Sequence, residues 1–134
     1  MKCIPAFRAA VEQALKADTG VVALIAQRVF SVVPPTTTIT PWVYVGGVVA
    51  TQERTACGSQ WTVQLRIYAA QTDFDPDVVW AVLAAVSDAL DGKSLTMPDG
   101  TAQTLPIEIG SVGDIVDPQQ PANAFLDLTA MVAG

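Results

Sequence analysis

At 134 residues and 14.1 kDa the chain has room for one ordinary domain and little more. It is 51% hydrophobic and 15% charged, with a mean hydropathy of +0.39, which excludes a disordered chain. Its 7 basic and 13 acidic side chains give a formal charge of −6, which argues against nucleic-acid binding over a broadly basic surface, and the absence of histidine removes Ser-His-Asp and Cys-His catalysis along with the commonest metal ligand.

Residues 5 to 17 read as a first helix. Pro5 suits an opening turn, and Phe7, Val11 and Leu15 with Ala10 and Ala14 form its apolar stripe. Asp18-Thr19-Gly20 breaks the pattern, and Thr19 is the expected cap of a short helical turn from Val21 to Ala26. Arg28 to Val33 reads as a short strand stopped by Pro34-Pro35, and Pro34 to Pro41 as an extended connector rich in Pro and Thr. Trp42 to Val45 and Trp61 to Tyr68 are strand signals, the second alternating cleanly. The segment between them has a polar middle, Thr51 to Thr55, expected at the tip of a long antiparallel hairpin. Gly46-Gly47 fits a bulge or a close strand contact, since no phosphate-binding glycine pattern surrounds it.

Asp75-Pro76-Asp77 marks a helix start, with Asp75 capping, Pro76 in the first helical position, and Phe74 and Val79 placed as a hydrophobic staple. The helix is expected to bury Val79, Val82, Leu83, Val86 and Leu90 and to end at a left-handed Gly92. Pro98-Asp99-Gly100 is a turn signal between Ser94–Met97 and Thr101–Leu105, which predicts a hairpin there. Ile107 to Val112 and Phe125 to Val132 alternate as strands on either side of a loop at Asp117 to Pro121. The predicted class is α+β: an antiparallel sheet with helices packed on one face, in a single domain spanning 1–134.

No constellation of reactive residues stands out. Asp73, Asp75 and Asp77 are accounted for by helix capping, and Asp114 and Asp117 by turn chemistry, so no metal site is expected. No serine, threonine or cysteine has a base partner in a recognisable motif, and neither catalytic residues nor a cofactor are expected. Cys3 and Cys57 are read as free thiols. The start of the chain does not resemble a signal peptide, and its longest apolar runs fall short of the roughly 20 residues of a membrane span. A cytoplasm-like environment without membrane contact is therefore expected. High apolarity with few charges leaves surface suited to association.

The stretch Ala17 to Phe30 followed by a double proline, then Pro41-Trp42-Val43-Tyr44-Val45-Gly46, and Ala84 to Leu90 closing a helix before a Leu95-centred segment, resembles the tail-completion, or tail-terminator, proteins of long-tailed bacteriophages and prophages. The resemblance covers nearly the whole element order. It implies a non-enzymatic subunit that forms a six-fold ring at the head-proximal end of the tail tube, located in the virion after assembly in the host cytoplasm. The implied partners are other copies of the chain, the major tail tube protein and the head connector or stopper, with DNA passing through unbound. A closed ring needs two different complementary patches on each subunit. The expected contact elements are Val49, Thr51, Gln52, Glu53, Arg54 and Thr55 on the hairpin, and Pro34, Pro35, Thr37 and Ile39 on the connector. The alternatives are another neck, connector or baseplate adaptor, and a small-molecule-binding domain, which would need a deep pocket with perturbed acids.

Overall fold

The computed structural model describes residues 2–32, 34–35, 38–55, 58–71, 76–97, 103–115 and 123–133. Helix α1 (Cys3–Ala17) buries the expected stripe, with Phe7, Val11 and Leu15 essentially inaccessible. It begins two residues before Pro5, at no cost in hydrogen bonds, because first-turn N–H groups have no intrahelical acceptor. Helix α2 (Thr19–Ile25) is capped by Asp18, not Thr19: the Asp18 carboxylate accepts the Val21 N–H at 3.0 Å. Asp18 holds the extended backbone that a cap requires, and its charge faces the positive end of the helix dipole.

Strand β1 is only Val29–Phe30, shorter than the expected run from Arg28 to Val33. Arg28 fixes its position: Arg28 Nε donates to the Pro41 carbonyl at 3.0 Å, and the Arg28 carbonyl accepts the Val43 N–H at 3.0 Å. The chain bends at Ser31 and leaves the sheet before Pro34. Strands β2 (Trp42–Thr55) and β3 (Gly58–Ala70) pair as the expected long antiparallel hairpin, and the polar stretch at 51–55 is the far end of β2. Its register shifts once, between Gly46 and Val48, at the expected bulge. Gly47 takes a φ of +64° there, which side-chain-bearing residues rarely adopt.

Helix α3 (Asp77–Leu90) buries all five predicted residues. The Pro76 carbonyl already accepts the Trp80 N–H at 3.0 Å, which makes Pro76 the cap position and not the first turn. Asp73, Phe74 and Asp75 lie outside the described residues, so the expected cap and staple do too. Gly92 is left-handed as expected, at φ +73°, but its N–H crosses to the Ile107 carbonyl at 2.8 Å instead of folding back on the helix.

The predicted hairpin strand at Ser94–Met97 does not form. That segment is tied to the next strand by the Gln103 side chain, which accepts from the Leu95 N–H at 2.8 Å and donates to the Lys93 carbonyl at 2.9 Å. A side-chain amide thus replaces part of a backbone ladder. The Pro98-Asp99-Gly100 turn, Asp117 and the loop from Pro118 lie outside the described residues. Strands β4 (Gln103–Ile115) and β5 (Asn123–Ala133) form the second hairpin.

The five strands lie in the order β1-β2-β3-β5-β4. The class is α+β. All long strands pair antiparallel, and the β1–β2 pair is parallel, which makes the sheet mixed. Strand β5 sits between β3 and β4, which therefore run parallel to each other and are connected through α3. Alternate residues of β3 and β5, among them Val63, Leu65, Ile67, Leu126 and Leu128, pack with the helices into one core. Among the described residues, the other face of the sheet carries no helix.

Candidate functional site

The two predicted contact elements sit at opposite ends of β2. Val49, Thr51, Gln52, Glu53 and Arg54 are all exposed on its far half, with Val49 61% accessible; Thr55 ends the strand. Gln52 donates to Ser59 across the hairpin at 3.1 Å, and Thr62 donates to Glu53 at 3.2 Å, so these polar side chains stiffen the tip. On the connector, Pro35 is exposed and Ile39 is 71% accessible, but Pro34 is buried. Thr37 lies outside the described residues. The connector enters β2 at Trp42 and the tip lies at Thr55, on the order of 40 Å away at strand rise. They are two separate surfaces.

The helix-free face of the sheet holds a trough of about 550 Å³, lined in part by Gly47, Arg66, Tyr68, Ser111 and Asp127. Cross-strand register places Arg66 of β3 directly opposite Asp127 of β5. The guanidinium grips the carboxylate in a fork, Nε to Oδ1 at 2.8 Å and Nη2 to Oδ2 at 3.0 Å, and lies 4.3 Å from the centroid of the Phe125 ring. The hydrogen bond to Asp127, and after it the one to Tyr68, raises the Arg66 pKa above its ordinary value, so the side chain stays charged. Tyr68 in turn stacks on Tyr44, with ring centroids 6.1 Å apart. Each charged group here is matched to another protein group, which ties β3 to β5 across this face.

A second depression, about 350 Å³, runs between α1 and the chain after β1, lined by Ile4, Pro5, Arg8, Ala9, Val32 and Val48 among others. It is apolar apart from Arg8, Glu12 and Ser31, and Glu12 is engaged by Lys16 at 2.9 Å. Arg8 Nε is buried with no hydrogen-bond partner among the described residues. Of the acidic residues weighed in the sequence, Asp77 opens α3, and Asp114 on β4 accepts the Trp80 indole N–H at 3.2 Å. Among the described residues no group of three or more His, Cys, Asp or Glu side chains could hold a metal ion, and no helix is long and apolar enough to cross a membrane. Cys3 is a free, buried thiol; Cys57 lies outside the described residues.

Sequence reasoning missed Arg66–Asp127, Trp80–Asp114 and the Arg8 groove. The one available signal was a charge of each sign in the middle of two apolar strands, Arg66 and Asp127, positions where an unmatched charge is costly.

The model of the family described as "Tail completion protein gp17" matches residues 9–133, and the chain belongs to that family. A search of curated proteins finds no match to the sequence. Among solved structures, a chain in the "Virion of native gene transfer agent (GTA) particle" superposes with a TM-score of 0.88 at 25% identity, covering 98% of this chain and 97% of that one. The protein is a phage tail structural protein.

Proposed function

We propose that the chain forms a ring at the head-proximal end of the tail tube, where it stops tube growth and docks to the head connector. The observation that carries this is the tail-completion family match across residues 9–133, supported by the likeness to a chain of an assembled virion particle. The fold is compatible with a subunit stacked between two different neighbours. The hairpin tip at 51–55 and the connector around Pro35 and Ile39 lie at opposite ends of the same strand, so one end can meet the tube and the other the connector. The ring is six-fold in this reading, and DNA passes through it without specific contacts. Its action is steric and geometric: a bound ring covers the surface on which the next tube ring would add. Electron microscopy of particles assembled without this protein tests the proposal. Over-long, headless tails are the expected result, and normal virions would refute it. Tails of normal length that fail only to join heads would place the protein in a connector role instead.

A further inference from the structure

The sheet has two edges, and each is bare over one half. On the β2 side, β1 covers only Val43 and Tyr44, so residues 46–54 have no neighbouring strand among the described residues. On the β4 side, Gly92 and Lys93 occupy both backbone groups of Ile107, and Gln103 takes the Leu105 carbonyl, which leaves residues 109–115 open among the described residues. Strand directions make these edges complementary. β2 and β5 run one way and β3 and β4 the other, so a rotated copy of the chain presents its β4 antiparallel to β2.

We propose that copies join edge to edge, residues 109–115 of one copy pairing antiparallel with residues 47–53 of the next, and that Asp114 of the first is received by Arg8 of the second. This rests on the ring reading above and names its contact. Three observations select a second copy as the occupant. The β4 strand carries acidic Glu108 and Asp114 and no basic residue, whereas half-buried Arg8 lines the groove beside the β2 edge as a cation with no ion pair among the described residues. Asp114 lies on the helix side of the sheet, bonded to Trp80 of α3, and Arg8 is on that same side, on α1 beside Val48. Trp80 and Val112 are 39% and 37% accessible and flank Asp114, while the groove they would meet is lined by Ile4, Pro5 and Val48.

Geometry agrees with closure. Within one sheet Asp114 stands level with Ala124, Ala69 and Val43. Setting it beside Val48 of the next copy shifts each copy by four β3 positions, from Ala69 to Leu65, or about 14 Å. Val112 then faces Ala50, both on the helix side. The subunit contributes four strand spacings, about 19 Å, so the strands tilt by about 35° from the ring axis. Closed sheets adopt tilts of roughly that size. A head-to-tail contact of this kind gives a ring when its rotation closes.

The test is charge exchange read by native mass measurement and size-exclusion chromatography, with and without tail tube protein. Asp114→Arg and Arg8→Asp are each expected to raise the concentration at half-assembly by about tenfold or more. The double variant Arg8→Asp/Asp114→Arg is expected to restore rings of wild-type mass. Asp114 is exposed, so Asp114→Arg keeps the fold, which circular dichroism verifies. A wild-type chain that stays monomeric even with tube protein overturns the ring reading and this contact together. Wild-type rings with an Asp114→Arg chain that assembles equally well overturn this contact alone. Failure of the double variant to recover assembly overturns the Arg8–Asp114 pairing.

Discussion

The two adjacent glycines at the β2 bulge respond to substitution in different ways, and the structure says which is the more sensitive. At Gly47 a new Cβ would meet only Arg66 Cβ at 3.4 Å, an ordinary contact, but the residue holds φ at +64°. An alanine there suffers backbone strain that no side-chain movement relieves, about 1–2 kcal/mol. At Gly46 the new Cβ would collide with the far end of the Tyr44 ring. That ring can swing away, losing its stacking on Tyr68, about 0.5–1.5 kcal/mol. The alanine recovers about 0.4–1 kcal/mol by restricting the unfolded chain, leaving a net change within about 1 kcal/mol.

With an unfolding entropy of about 2.1 cal/mol/K per residue, the 134-residue chain changes its Tm by roughly 3.5 °C per kcal/mol. Gly47→Ala is therefore expected to lower Tm by about 4–7 °C and Gly46→Ala by less than about 4 °C. Only Gly46→Ala changes the near-ultraviolet circular dichroism of the tyrosines. Gly47→Asn, whose side chain tolerates the left-handed region, falls between Gly47→Ala and the wild type. Thermal melts of the four proteins decide the matter. A Gly46→Ala loss larger than that of Gly47→Ala would refute the assignment of the cost to backbone conformation.

Leu65→Ala empties a fully buried position at the centre of β3 and is expected to cost about 2–5 kcal/mol, read as a lowered urea midpoint with an unchanged slope. Asp18→Ala removes the α2 cap and is expected to cost about 0.5–2 kcal/mol, with faster hydrogen exchange at the Val21 amide, while Asp18→Asn keeps most of the stability. Gln103→Ala leaves the Leu95 N–H and the Lys93 carbonyl without their side-chain partner. Exchange protection at Leu95 is then expected to vanish while the β4–β5 ladder stays protected; retained protection at Leu95 would show that the amide bridge does not hold the segment.

Periodicity made the α1 stripe, the α3 stripe and the alternation of β3 and β5 legible, because each element buries one face and its sequence repeats at the matching interval. The bulge was legible from Gly46-Gly47 for a local reason, the need for positive φ. What stayed hidden was non-local. Polar residues 51–55 marked the far end of the hairpin, but not that the ladder runs on through them to Thr55. The segment at 94–97 carried strand-like residues, but Gln103 replaced the ladder with side-chain bonds, a substitution that no periodic pattern marks. Likewise, Arg66 and Asp127 are 61 residues apart, and only the insertion of β5 between β3 and β4 makes them neighbours. The surfaces proposed for assembly depend on which strand halves are left bare, a property of the whole topology.

The insertion of β5 also dictates when the molecule can exist. β2–β3 and β4 share no strand pairing until β5, which follows them in the chain, slides between β3 and β4. Chains carrying only β1 to β4 have no central rib and no mate for Arg66. A chain truncated ahead of residue 123 therefore lacks the strand that joins β2–β3 to β4, and its Arg66 has no cross-strand carboxylate.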